Sequence, residues 1–194
     1  MARHAQSAAG GGQIRIIGGQ WRGRKLPVAD VAGLRPTTDR VRETLFNWLM
    51  FELQGARVVD LFAGSGALGF EAASRGASSV ILVERHDGVA RTLAGNIERL
   101  QAADRLQLVV GDALRFAASP PPEPCDLLFV DPPFGQGLLR ELLPLLTSPA
   151  WLRPGGWLYV EHERSLALSP PPQFSVHRQL QAGAATAQLW RRAL

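Results

Sequence analysis

The stretch Arg57 to Glu84, RVVDLFAGSGALGFEAASRGASSVILVE, decides the fold. Its first six residues, RVVDLF (57–62), read as a buried strand. Gly64-Ser65-Gly66-Ala67-Leu68-Gly69 follows at once and fits G-x-G-x-x-G in the required place, after a strand and opening a helix. GALGFEAASRGA is that helix, ended by Gly76, and SVILVE (79–84) is a second apolar strand. Glycines let the backbone turn sharply and approach a ligand closely, and ligands in such sheets sit outside the carboxyl ends of the strands.

The same rhythm continues downstream. GVARTLAGNIERLQA is a second helix, RLQLVVGDA a third strand followed by a short helix, and CDLLFVD (125–131) a fourth strand. GLLRELLPLLTS is helical despite Pro144, and GGWLYVEHE (155–163) is a fifth strand. FSVHRQLQ and TAQLWRRA, joined by a short glycine-containing loop, close the chain as an antiparallel pair. Strand–helix alternation with near-continuous apolar strands predicts an α/β fold with an open parallel sheet covered on both faces.

Upstream the composition changes. Residues 1–13 are small, polar and glycine-rich, and are expected to be a disordered arm. IRIIGGQWRGRKLPV predicts a small hairpin with Arg22, Arg24 and Lys25 near its turn. In LRPTTDRVRETLFNWLM, Pro36, Thr37 and Thr38 are start signals, and Val41, Leu45, Trp48 and Leu49 recur at helical spacing. That spacing puts Arg40 and Arg42 on the exposed face. The chain therefore divides into the arm (1–13), a basic hairpin-and-helix extension (14–52) and an α/β domain (53–194).

Composition sets further bounds. The 194 residues are 46% hydrophobic and 20% charged, as in a globular domain with a real core. No apolar run approaches the roughly 18 residues that span a bilayer, and the N-terminus lacks the apolar stretch of a secretory signal. Cys125 is the only cysteine, which excludes a disulfide framework and fits a reducing, cytoplasmic setting. Residues 1–42 hold eight Lys and Arg (Arg3, Arg15, Arg22, Arg24, Lys25, Arg35, Arg40, Arg42) against Asp30 and Asp39, a balance of +6 that leaves −2 over the rest. All but one of the 21 basic residues are Arg, the side chain suited to phosphate forks and base stacking. The N-terminal segment is thus expected to meet a polyanion.

Four successive strands finish in or near an acid: Asp60, Glu84, Asp112 and Asp131. Glu84 stands 20 residues after Gly64, where a carboxylate can accept hydrogen bonds from both hydroxyls of a ribose. A nicotinamide dinucleotide brings a pyrophosphate, which wants bare N–H groups and not a crowd of carboxylates. S-adenosylmethionine has no phosphate but carries a sulfonium, an ammonium and ribose hydroxyls, all matched by acids. DLFAGSGALG, with Asp60 four residues before the first glycine, fits the second cofactor better.

Asp131-Pro132-Pro133-Phe134 ends the fourth strand beside the glycine turn. Proline cannot donate to a ladder and biases its predecessor to extended backbone, so pairing stops at Asp131. The stiff turn presents two acceptors, the Asp131 carboxylate and the Pro132 carbonyl, followed by an aromatic ring. That set suits an exocyclic amine on a splayed-out nucleobase: the acceptors hold both N–H bonds while Phe134 stacks on the ring. Such an amine is a poor nucleophile because its lone pair is delocalised, and holding its hydrogens favours a pyramidal nitrogen. The catalysis is positioning and electrostatics rather than covalent chemistry.

DPPF fits the (Asn/Asp/Ser)-Pro-Pro-(Tyr/Phe/Trp) signature of amino-methyltransferases. With GQIRIIGGQWRGRKLPV, LRPTTDRVRETLFNWL, DLFAGSGALGFEAASRGA and FVDPPF, the chain resembles the RsmD family, bacterial methyltransferases of a guanine N2 in 16S ribosomal RNA, over residues 12 to 190. The resemblance implies a class I S-adenosylmethionine-dependent fold, Rossmann-like, with a seven-stranded sheet, and a substrate met as an assembling small ribosomal subunit; the chain is expected to act as a monomer. By position it assigns the target guanine to Asp131, Pro132, Pro133 and Phe134. It assigns the cofactor to Asp60, Phe62, Ala63, Gly64, Ser65, Gly66, Glu84, Arg85, Asp112 and Ala113. RNA contacts fall to Arg15, Trp21, Arg22, Arg24, Lys25, Arg35, Thr37, Thr38, Arg40 and Arg42, Trp21 as a stacking platform. VERHDG departs from the family pattern in having His86 where a further acid is expected.

Competing readings are an adenine-N6 DNA or glutamine-N5 protein methyltransferase, a non-catalytic RNA-binding assembly factor and a nicotinamide oxidoreductase. The protein enzymes more typically carry Asn in place of Asp131, and no separate DNA-recognition domain is evident. A pure binder needs neither an intact glycine loop nor an intact DPPF, and the acids disfavour the oxidoreductase. EHE (161–163) falls short of H-E-x-x-H, so no metal is expected, and His162 is read as structural.

Overall fold

The computed structural model describes residues 12–31 and 38–194. Most of the expected arm (1–11) lies outside the described residues, as do Arg35 and Thr37. In chain order the elements are β1 (Gln13–Arg15), β2 (Lys25–Pro27), α1 (Asp39–Trp48), β3 (Arg57–Asp60), α2 (Ala67–Ser74), β4 (Ser79–Glu84), α3 (Asp87–Leu100), β5 (Leu106–Val110), α4 (Ala113–Ala117), β6 (Cys125–Val130), α5 (Leu138–Leu146), β7 (Leu152–Glu163), β8 (Phe174–Ala182) and β9 (Ala185–Arg192). The seven strands from β3 onward form one sheet in the order β5-β4-β3-β6-β7-β9-β8. β5, β4, β3, β6 and β7 run parallel, and β9 is antiparallel to both β7 and β8. This is the expected α/β sheet with its closing antiparallel pair. β7 begins at Leu152 rather than Gly155, because Leu152 already pairs with Cys125 ahead of a register shift.

Apolar strands explain the sheet's burial. Leu127 to Val130 and Trp157 to Val160 are all buried, as strands covered on both faces must be. Phe129 packs edge to face with Tyr159 and Phe46 on one side, and Trp151 and Trp190 fill the other.

The basic hairpin is paired as expected, with Arg15 opposite Lys25 and Ile14 opposite Leu26. It packs onto α2, every residue of which is buried, and Ile14, Ile16, Trp21 and Leu26 join the same core as Phe46, Phe70 and Phe129. Glu71 is the clasp: its carboxylate accepts the backbone N–H groups of Ile17 and Gly18, each at 2.8 Å, and the Arg75 guanidinium at 2.7 Å. Ser74 adds a second, accepting from Trp21 N and donating to Gly18 O.

This docking corrects two expectations. Arg42 is not on an exposed face of α1: it is 1% exposed, bonds Asp39 at 2.6 Å and the Arg15 carbonyl at 3.0 Å, and lies 3.9 Å from Glu71. Trp21 is also buried, with the Arg105 guanidinium 5.3 Å from the centre of its ring. Neither offers a surface for stacking or phosphate contact; both hold the hairpin to the domain.

Candidate active site

β3 pairs with β4 on one side and β6 on the other, so the strand order reverses there, and a crevice opens beyond the carboxyl ends at such a point. A cavity of about 670 Å³ lies at this position. Asp60, Phe62, Ala63, Gly64, Ser65, Glu84, Arg85, Asp112 and Ala113 line it, and so do Asp131, Pro132, Pro133 and Phe134. The strand-end acids and the DPPF turn are therefore brought into one space. Gly66 does not line it but shapes it: at φ 77° it starts α2, and a side chain there would run into Phe70 and Leu93. A Cβ at Gly69 would collide with Leu82 of β4, so the third glycine allows close helix–strand packing.

Each acid has a defined environment. Asp60 is buried, its Oδ2 accepts from Gly69 N at 3.1 Å, and burial pushes its pKa up to about 7, against the opposing effect of N–H bonds from Gly69 and Phe62. Glu84 accepts from Gly64 N at 3.0 Å and from His86 N at 2.7 Å, which ties the glycine turn to the end of β4. A carboxylate has about four acceptor positions, so two remain for a ligand. Asp112 caps α4 through Arg115 N at 3.0 Å. His86, where an acid was expected, caps α3 by accepting from Gly88 N and Val89 N.

The DPPF turn leaves the sheet where β6 ends. The last β6–β7 pair is Val130 with Val160, after which the prolines supply no N–H. Phe134 is 43% exposed at the cavity's edge. Gly135, at φ 75°, donates its N–H to Glu163 Oε1 at 3.0 Å, and Glu163's own backbone N–H together with this bond holds the Glu163 carboxyl below the usual carboxylate range.

Of the residues expected to meet RNA, Arg15, Arg22, Arg24, Lys25, Thr38 and Arg40 are exposed. Thr38 caps α1 through Val41 N, and both residues line the cavity, so the extension contributes to this space as well. Sequence reasoning missed Glu161, Val31 and the β8–β9 turn (182–185), which also line it. The signal for Glu161 was present: β7, like its neighbours, ends in acids. Among the described residues no group of three or more His, Cys, Asp or Glu is placed to hold a metal ion.

Comparison with known proteins gives a consistent result. Residues 14–191 match the family model described as Conserved hypothetical protein 95. "Ribosomal RNA small subunit methyltransferase D" of Escherichia coli (strain K12) is 49% identical over 185 residues, covering 95% of this chain and 92% of that protein. The protein of the same name from Haemophilus influenzae is 41% identical over 182 residues, covering 93% and 94%. The solved structure of yhhF from Escherichia coli superposes with a TM-score of 0.85 at 48% identity, covering 94% of this chain and 99% of that one.

Proposed function

Since the chain belongs to the RsmD family, described as Conserved hypothetical protein 95, we propose that it transfers the methyl group of S-adenosylmethionine to N2 of one guanine in 16S ribosomal RNA, within an assembling small subunit. The observation that carries this reading is the convergence of the glycine turn, the strand-end acids and the DPPF turn on one cavity. The reading sets the enzyme to work as a monomer in the cytoplasm; no helix among the described residues is long and apolar enough to cross a membrane.

The lining residues fit the cofactor. Glu84 keeps acceptor capacity for ribose hydroxyls, Asp112 and Ala113 stand at the end of β5 for the adenine side, and Asp60 faces a cavity without an ion-pair partner among the described residues. S-adenosylmethionine, when bound, supplies an electrophilic methyl group on a sulfonium. The chain's own part is to present the nitrogen. Asp131 and the Pro132 carbonyl accept the two N2–H bonds, Phe134 stacks on the purine, and Asp131 takes the proton the nitrogen sheds. The Gly135–Glu163 bond fixes the turn's exit, so these acceptors are held in place before the base arrives.

Asp60 gives the site a pH signature. A cationic ligand favours its ionised form, and with a pKa of about 7 that form is lost in mildly acidic solution. Cofactor affinity is expected to fall as pH drops from 8 to 6, approaching tenfold per unit, and calorimetric titration checks this. Asp60→Asn should flatten the profile; a flat wild-type profile contradicts the assignment. Stability responds oppositely. The folded pKa lies above the 3.8 of the unfolded group, so the empty protein loses stability as pH rises from about 4 to 7, and Asp60→Asn should raise the melting temperature at pH 8.

The exposed face of the hairpin supports an RNA partner. Arg15 and Lys25 are directly opposite across the two strands, a like-charge pairing that costs stability unless a polyanion relieves it. Replacing Arg22, Arg24 and Lys25 together by alanine should reduce the slope of log affinity against log salt by about 2–3, since fewer counterions are released. An unchanged slope, measured by filter binding between 50 and 300 mM salt (roughly the range in which such slopes are read), removes the hairpin from the RNA interface. The overall reading is tested by incubating the enzyme with methyl-labelled S-adenosylmethionine and unmodified small-subunit particles: label is expected in the rRNA, and label confined to protein overturns it.

A further inference from the structure

Glu161 is a buried acid that the foregoing chemistry does not use. It is 7% exposed, lines the cavity beside the DPPF turn, and forms no ion pair among the described residues. Its Oε1 accepts the Tyr159 hydroxyl at 2.5 Å, the only hydrogen bond it makes among the described residues. β6 and β7 are parallel and in register at Val130 and Val160, so Asp131 and Glu161 occupy matching positions one residue further on. Burial raises the pKa of Glu161 and of Tyr159, and Glu161 and, less, Asp131 add to the rise at Tyr159, which places Asp131 close to this pair. A desolvated carboxyl without a cation is costly, and packing alone would be served better by an apolar side chain. Acids of this kind, facing a cavity, mark sites that recognise a ligand.

The donor pattern of the base defines that ligand. The Watson–Crick edge of guanine carries three N–H bonds, two on N2 and one on N1. Asp131 and the Pro132 carbonyl supply two acceptors, and Glu161 supplies a third on the adjacent strand. We infer that Glu161 is a specificity-determining residue that accepts N1–H of the target guanine, with Tyr159 fixing the orientation of its carboxyl. Adenine has a bare acceptor at N1 and meets an acceptor there, so it is rejected. This inference rests on the proposal that guanine N2 is the methyl acceptor.

The test uses rRNA in which the modified guanosine, located by mapping the wild-type product, is replaced through splint ligation by 2-aminopurine riboside. This base keeps the 2-amine but has no N1–H. The wild-type enzyme is expected to favour guanine in kcat/KM by about 10–100-fold, the discrimination of one well-made polar contact to a base. Glu161→Gln can turn its amide to donate to N1, so its preference should shrink to a few-fold while cofactor affinity stays unchanged. If Glu161→Gln slows both substrates equally, Glu161 is only structural and the inference is overturned; equal use of both bases by the wild type overturns it too. Should Glu161→Gln fail to fold, Tyr159→Phe, which removes only the orienting hydroxyl, is expected to narrow the preference, and an equal loss on both bases refutes the role. Failure of the underlying proposal is separately visible, because the wild-type enzyme would then yield no N2-methylguanosine.

Discussion

Asp131→Ala is expected to lower kcat by at least about 10²–10³-fold, the loss seen when a preorganised electrostatic contact to a reacting group is removed. Asp131 closes β6 at the rim of the cavity, and the two prolines fix its carboxylate relative to the Pro132 carbonyl. Without the carboxylate one N2–H bond is unheld and the nitrogen lone pair stays delocalised into the purine. Cofactor affinity should remain within about threefold, because the acids holding that ligand lie on β3, β4 and the end of β5, and differential loss is what a contact made at the transition state predicts. Single-turnover rates beside calorimetric cofactor titration make the comparison. A variant that retains turnover within tenfold contradicts the role given to Asp131.

The largest expected effect on stability is at Glu71. It is fully buried, accepts two backbone N–H bonds from the hairpin, and is the partner of Arg75 and of the equally buried Arg42. Glu71→Ala leaves the two hairpin N–H groups and the Arg75 guanidinium without their acceptor and removes the buried acid 3.9 Å from Arg42, and breaking a buried pair this way costs about 3–5 kcal/mol. At about 2–4 °C per kcal/mol for a chain of this size, the melting temperature should fall by roughly 10 °C. Scanning calorimetry measures it. A fall of less than about 3 °C would mean that apolar packing of Ile14, Ile16 and Trp21 carries the docking alone.

What was legible in the sequence follows from how local its cause is. The strands and helices of the domain declared themselves because each apolar run and each glycine turn is set by neighbours a few residues away. The strand-end acids were legible for the same reason: a strand's end fixes where its acid points. Burial of Arg42 and Trp21 was not, because it comes from the hairpin folding back on α2, some 53 residues along the chain at Trp21. Read on α1 alone, Arg42 takes the exposed face; only the arrival of Glu71 and the Arg15 carbonyl makes it an interior residue. Glu71 itself sits in an unremarkable helical run, GFEAAS, and nothing nearby announces that it clasps a distant loop. Glu161 differs in kind. The rule that located Asp60, Glu84 and Asp112 applies to β7 as well, but EHE invites comparison with a metal motif, and that comparison hid a fifth acid at the same end of the sheet.

The central claim is that the DPPF turn presents the N2 amine of a guanine for methylation. The most direct measurement is nucleoside analysis by mass spectrometry of 16S rRNA from unmodified small-subunit particles after incubation with the enzyme and labelled S-adenosylmethionine. The account predicts label in N2-methylguanosine at one position, and none with Asp131→Ala. Label in N6-methyladenosine or in any nucleoside other than N2-methylguanosine would contradict it.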